Sequence, residues 1–162
     1  WVEFHSNDSY RFNRRIAYST SSTFNKASYP NLRAVRVHVV GGGGGGGGVE
    51  ATAALEGAAS SGGGAGCYAM KLVTDIAGLA ASETLTVGSI GPGGTQRSAG
   101  GTGAHSEYGR GGLGGNAVSS AGGSGSGGYR GGGGGGAANS PSQTAKTGGS
   151  GGSGYIVLEL FS

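Results

Sequence analysis

The residues best suited to chemistry in this chain are tyrosines and arginines set among glycines. Tyr108-Gly109-Arg110 and Tyr129-Arg130 each place an aromatic ring beside a guanidinium. A tyrosine ring stacks on flat ligand faces such as those of sugars, and a guanidinium pairs with phosphates or carboxylates. We therefore predict one recognition surface made by six residues: His105, Glu107, Tyr108, Arg110, Tyr129 and Arg130. The alternative is that these side chains only fill gaps between glycine segments.

Catalytic chemistry finds little support in the residue pattern. The three histidines, His5, His38 and His105, are scattered, and no HExxH or paired Cys/His spacing occurs. No GxSxG precedes a helical segment, and no GK[ST] closes a phosphate loop. We expect His38 to point outward from a strand, and the acids Asp75, Glu83 and Glu107 to lie solvated in loops. The sequence predicts a protein that is not an enzyme, with no metal and no cofactor.

The composition is dominated by glycine, which supplies 42 of the 162 residues, against a usual share of about 7%. Charged residues make up 12%, and the net charge of +3 permits an anionic partner without requiring one. A single cysteine, Cys67, excludes an internal disulfide framework and is expected to be half-buried. No apolar run approaches the roughly 20 residues that cross a membrane. Because the chain begins at Trp1, we expect it to be part of a longer protein.

Four segments have the pattern of β-strands. In residues 34–40 (AVRVHVV), Val35, Val37 and Val39 alternate with Arg36 and His38, which predicts valines on one face. Residues 155–161 (YIVLELF) form the second strand, with its even-numbered apolar residues on one face. Residues 67–74 and 85–90 are the other two, separated by a loop at 75–83. Shorter strands are predicted within residues 1–4, 10–12 and 14–19, and a loop or a single turn within 49–59.

The eight consecutive glycines at 41–48 are either a flexible linker or backbone packed closely against other backbone. Collagen is excluded because glycine keeps no three-residue register and only three prolines occur. An extended polyproline-II-like conformation would span roughly 25 Å over eight residues and needs hydrogen-bond partners from neighbouring tracts. The closing strand at 155–161 favours an ordered body. We therefore predict a mainly β fold in which such glycine tracts pack laterally and a small β-sheet closes the body. Its thin core favours an intertwined homotrimer.

Three glycine-bearing segments follow one another in a characteristic order: VVGGGGGGGG at 39–48, LTVGSIGPGG at 85–94 and GYIVLELF at 154–161. Together with TFNKASYPNLRAVRVHVV at 23–40, they resemble the glycine-rich C-terminal domain of bacteriophage tail fibres. The resemblance covers residues 23–161. It implies a trimeric tip at the distal end of the virion's tail fibre that adsorbs to a bacterial surface. It also implies a polysaccharide or surface-protein receptor, attachment to the rest of the fibre or baseplate, and no membrane insertion.

The domain division that follows assigns residues 34–162 to the tip and residues 1–33 to the end of the shaft or a small preceding β segment. Two other functions remain open. The domain could be a structural cap of the fibre that contacts no receptor. The two Tyr–Arg units could instead belong to an RGG-type segment that binds single-stranded RNA by charge and stacking, although the basic excess is slight.

Overall fold

The chain is mainly β in the computed structural model, which describes residues 11–94, 109–113 and 123–162. The longer strands carry β-branched and aromatic residues, and one turn of 3₁₀-helix, Lys26–Ser28, is capped by the Asn25 side chain. The strands in chain order are β1 Phe12–Tyr18, β2 Ser22–Asn25, β3 Ala34–Val40, β4 Ala58–Ala59, β5 Tyr68–Val73, β6 Ser82–Leu85, β7 Ala138–Asn139 and β8 Tyr155–Phe161.

The main sheet has four antiparallel strands in the order β1-β8-β3-β5. Strand β8 is central and almost wholly buried. Its two faces belong to different clusters, as the alternation predicted. Ile156, Leu158 and Leu160 pack with Phe24 and Val35, whereas the opposite face buries Tyr155 and Val157 against Val40. The strands predicted at 34–40 and 155–161 are confirmed, and that at 67–74 is confirmed as β5.

Among the described residues, two further strand pairs lie outside the main sheet. Strand β2 pairs with β6, and β4 pairs with β7. The strand predicted at residues 85–90 is wrong, because β6 ends at Leu85. Beyond that residue the chain leaves β2, and the carbonyl of Gly88 accepts a hydrogen bond from the Gly154 amide at 2.9 Å. Glu83 therefore lies in a strand and not in a loop.

Arg36 and His38 share one face of β3, as predicted, since both approach the Glu159 carboxylate, but the burial of this strand differs from the prediction. Val35 is buried, but Val39 is 37% exposed, and His38, expected to face outward, is buried. His38 is accommodated by polar neighbours on its face of the sheet: its Nδ1 lies 2.7 Å from the Tyr68 hydroxyl and its Nε2 lies 3.4 Å from the Glu159 carboxylate. A buried polar ring is tolerated when such partners are present.

The glycine run at 41–48 is hydrogen-bonded through its backbone to other segments of the same chain. Every third amide donates to one neighbouring segment in reverse order: Gly41 to Cys67, Gly44 to Gly64 and Gly47 to Ser61, at 2.8–2.9 Å. A second series of amides, also three residues apart, donates to carbonyls of another segment: Gly43 to Gly152, Gly46 to Gly149 and Val49 to Lys146, each at 2.8 Å. A spacing of three on both partners means that successive bonds point in the same direction.

The carbonyls of the same run accept from two further segments. Gly91 and Gly94 donate to Gly43 and Gly46 at 2.8 and 2.7 Å. On another side Gly134 and Ala137 donate to Gly44 and Gly47 at 2.9 and 3.0 Å. The four neighbouring segments also bond to one another in two pairs, again at every third residue. In the first pair the amides of Gly148, Gly151 and Gly154 donate to the carbonyls of Gly94, Gly91 and Gly88. In the second the amides of Ser60, Gly63 and Gly66 donate to the carbonyls of Ala137, Gly134 and Gly131. Backbone therefore packs on backbone around residues 41–48.

The glycine segments have a near end and a far end relative to the main sheet. Residues 41–48 start where β3 ends, and residues 148–154 finish where β8 begins. At the other end, the backbones of Val49 and Lys146 pair with each other. Residues 11–25 pair with β8 and β6, so they share hydrogen bonds with the segment after residue 33. The division at residue 33 stays a prediction.

Candidate functional site

The first candidate surface is the turn between two glycine segments at the near end. Here the Arg130 guanidinium lies between two aromatic rings, 4.8 Å from the centre of Tyr129 and 4.3 Å from that of Tyr155. Tyr155 is buried at the start of β8, whereas Tyr129 is 58% exposed. Attraction between the cation and the ring faces fixes the guanidinium against the sheet. We call Arg110, Tyr129, Arg130 and Tyr155 the arginine–tyrosine turn.

The backbone explains why this turn forms. Arg130 and Gly131 both have positive φ, 44° and 80°, so the chain reverses over two successive residues. The amide of Gly132 closes the reversal onto the Tyr129 carbonyl at 3.0 Å. The Tyr129 amide donates to the Arg110 carbonyl at 2.8 Å, which brings the exposed Arg110 alongside. The turn therefore carries two arginines on hydrogen-bonded backbone segments beside an exposed ring.

The sequence-predicted recognition set divides in two. The structure brings Arg110, Tyr129 and Arg130 together at this turn. His105, Glu107 and Tyr108 lie outside the described residues. Tyr155 was not in the predicted set, and the signal that could have found it is its place as the first residue of the closing strand after a glycine segment.

The second candidate surface lies at the far end, where two loops are tied together. We call residues 50–58 and 139–145 the far-end loops. The Thr52 amide donates to the Gln143 carbonyl at 2.9 Å, and the Ser142 amide donates to the Ala53 carbonyl at 3.1 Å. The side-chain amide of the buried Asn139 reaches the Glu50 carbonyl at 2.8 Å. Bonds that cross between the loops hold them as one unit.

Each far-end loop holds one non-glycine residue in the left-handed backbone region. Leu55 has φ 71° and Ser142 has φ 60°. For a residue with a Cβ this conformation costs about 1–2 kcal/mol. Leu55 is also 97% exposed. The turn around it is closed by the Glu56 amide on the Ala53 carbonyl at 3.2 Å and by the Ala53 amide on the Glu56 carboxylate at 3.0 Å.

A recess of about 440 Å³ adjoins Leu55, lined by Glu50, Ala51, Thr52 and residues 56–59. Its lining combines carboxylates, a hydroxyl and alanine methyl groups. Sequence reasoning missed this surface, because leucine is not a residue that marks a left-handed turn. The turn signals in these loops are Gly57 and the Ser-Pro-Ser run at 140–142, and neither marks Leu55 itself.

The main sheet also carries a polar cluster, but its charged side chains are paired with one another across neighbouring strands. The Arg36 guanidinium lies 3.1 Å from the Glu159 carboxylate, which also faces His38. Residues 11–94, 109–113 and 123–162 contain no group of three or more metal-ligating side chains. Cys67 is exposed, so the expectation of a half-buried side chain is wrong.

Within the described part of the chain, no helix has the length and apolar character needed to cross a membrane. Comparison with known proteins gives no match: no protein-family model, no curated protein and no solved structure is similar to this chain.

Proposed function

We propose that this chain is the non-enzymatic, host-adsorbing tip of a bacteriophage tail fibre, placed at the distal end of the virion. The observation that carries the proposal is the three-residue spacing of the hydrogen bonds around residues 41–48. A polyproline-II helix has three residues per turn and no internal hydrogen bonds, so its amides point to three sides and recur in direction every third residue. Laterally packed tracts of this kind would form a rigid body with a very small apolar core.

Such a body suits presentation of a binding surface. On polyproline-II geometry, residues 41–49 would separate the main sheet from the far-end loops by roughly 25 Å. Strand β1 begins at the end of the sheet away from the glycine segments, since Phe12 pairs with Phe161. If the preceding shaft enters through residues 1–33, the far-end loops point away from it. Binding residues are often carried on loops that a rigid scaffold positions.

We further propose that the fibre tip is a homotrimer, with contact between chains at β5. This edge strand leaves three alternate apolar side chains on one face 42–56% exposed: Tyr68, Met70 and Leu72. A row of this kind on a sheet edge is a common association surface. The glycine-segment bonds given above lie within one chain, so the chains would not need to intertwine to satisfy them. Sedimentation velocity tests this part directly: a monomer at micromolar concentration would contradict it.

Recognition is tested by pull-down of the full chain with intact bacteria from several species, each compared with mutants lacking surface polysaccharide or major surface proteins. Adsorption to some strains and its loss on removal of one surface component are expected. Equal retention by all cells, or by none, would contradict host recognition. In the latter case a structural cap and an RNA-binding segment are the functions that remain.

The arginine–tyrosine turn gives this test its first pair of variants. Tyr129→Ala and Arg110→Ala remove exposed groups without touching the buried Tyr155. If a saccharide with carboxylates or phosphates is the receptor, both variants lower adsorption while circular dichroism stays unchanged, and Tyr129→Ala lowers stability by no more than about 0.5–1 kcal/mol, the contribution of its exposed contact with Arg130. Wild-type adsorption by both variants would remove this turn from the binding surface.

A further inference from the structure

The exposed leucine of the far-end loops is not explained by the stability of the fold. Leu55 lies in the left-handed region at φ 71° with 97% of its surface exposed. Glycine or asparagine would adopt this backbone more readily. A single exposed leucine is ordinary, but one held at positive φ with almost no contacts of its own is not. Such strain persists where the surrounding structure imposes it, and it concentrates at binding sites.

The surrounding structure does impose it. The turn is closed from inside by the Glu56 carboxylate and amide, both bonded to Ala53. It is braced from outside by the Ser142 amide on the Ala53 carbonyl at 3.1 Å. The side chain of Leu55 is therefore presented on a preorganised loop, so little loop entropy is lost when a partner covers it.

The chemistry of the side chain selects the class of partner. An isobutyl group makes no hydrogen bonds and offers no flat ring to a sugar, so it gains free energy only by entering an apolar pocket. Whereas Leu55 projects and is apolar, the recess beside it is concave, has a volume of about 440 Å³ and includes the polar residues Glu50, Thr52 and Glu56 in its lining. A projecting apolar group next to a polar recess fits an irregular protein surface better than a polysaccharide chain.

We propose that Leu55 is the apolar anchor by which the far-end loops bind a protein receptor on the bacterial surface. The partner carries an apolar pocket for Leu55 and a polar side chain that enters the adjoining recess. This inference rests on the proposed function of host adsorption and adds the class of receptor to it. It assigns the arginine–tyrosine turn no part in protein recognition.

The test uses the full chain and a bacterial strain that the wild-type chain binds. Leu55→Gly removes the anchor and relieves the backbone strain, so the expected result is about 10- to 100-fold weaker adsorption with a denaturation midpoint equal to or above that of the wild type. Ser142→Gly is the matched control, because it relieves the same kind of strain in the facing loop and should adsorb like the wild type. Protease treatment of the cells should abolish wild-type adsorption, whereas periodate oxidation of surface sugars should not.

The outcomes distinguish failure of the protein-receptor role of Leu55 from failure of host adsorption itself. Wild-type adsorption by Leu55→Gly, or adsorption that survives protease treatment and is lost after periodate, overturns the protein-receptor inference and leaves host adsorption standing. Absence of wild-type adsorption to every strain refutes both. An equal loss in Leu55→Gly and Ser142→Gly would assign the effect to loop conformation and also overturn the role of the side chain.

Discussion

Two adjacent glycines, Gly63 and Gly64, offer a matched pair of alanine substitutions that tests how closely the glycine backbones pack. Each substitution adds one methyl group. A Cβ built on Gly63 would collide with the Gly44 carbonyl oxygen and lie 2.6 Å from its carbon, whereas one on Gly64 would meet nothing within 4 Å. Neither residue has positive φ, so alanine can adopt either backbone conformation. The two variants have the same composition and differ only in the surroundings of the new methyl group.

The expected destabilisation follows from the contact that must open. Carbon atoms pack best at about 3.5–4 Å, so Gly63→Ala must push residues 61–67 away from residues 41–48 by about 1 Å or more. That shift weakens the bond from the Gly44 amide to Gly64, now 2.8 Å, and that from Gly63 to Gly134, now 2.7 Å. Two lost hydrogen bonds cost about 1–3 kcal/mol, and overpacking strain adds about 1–3 kcal/mol.

We therefore expect Gly63→Ala to lower the free energy of unfolding by roughly 2–6 kcal/mol. Gly64→Ala should raise it by about 0.4–1 kcal/mol, because alanine has less freedom in the unfolded chain. Urea denaturation followed by circular dichroism measures both. At about 2–4 °C per kcal/mol, Tm should also differ clearly between the variants. Equal midpoints for the two variants would refute close packing at this position.

Three further predictions concern the sheet and its core. Burial, and then the Coulombic effect of Tyr29, raise the pKa of the Tyr18 phenol above its usual value near 10. The folded state thus keeps this proton to higher pH than the unfolded state does. The contribution of Tyr18 to stability is therefore complete below about pH 10 and is lost as the pH rises through the folded pKa. In denaturation measured against pH, Tyr18→Phe should reduce that loss. Phe24→Ala, which removes a buried ring stacked 5.3 Å from Tyr29, should cost about 3–5 kcal/mol in urea denaturation, and a loss below about 1 kcal/mol would contradict its place in the core. Glu159→Gln should cost less than about 1 kcal/mol at low salt and almost nothing at high salt, since its partner Arg36 is 41% exposed, and a salt-independent loss would contradict an ion-pair origin.

The sheet could be predicted from sequence where the side chains themselves carry the pattern. Alternating apolar residues located β8 to the residue, because both of its faces are buried and every side chain has a defined place. The same alternation placed His38 on the face that it shares with Arg36, but the expectation that His38 is exposed was wrong, since its burial depends on Tyr68 and Glu159, which come from other strands. Register between distant strands is not visible in one strand's pattern.

The glycine segments show the limit of sequence reasoning most clearly. Eight identical residues contain no signal of which amide faces which neighbour, so the partners of Gly43 and Gly44 could not be predicted. Of the candidate site, the Arg110–Tyr129–Arg130 grouping was predictable from residue chemistry. The conformation of Leu55 was not, because it follows from bonds made by the flanking residues to each other and to a loop nearly 90 positions away.

Amide hydrogen exchange at residues 43, 44, 46 and 47, followed by NMR with assigned glycine signals, tests the packed glycine body most directly. These four amides donate backbone hydrogen bonds of 2.8 Å, so they should exchange as slowly as amides of the central strand β8. Exchange at the rate of an unstructured peptide, under conditions where β3 and β8 remain protected, would contradict a rigid glycine body and the adsorption tip built on it.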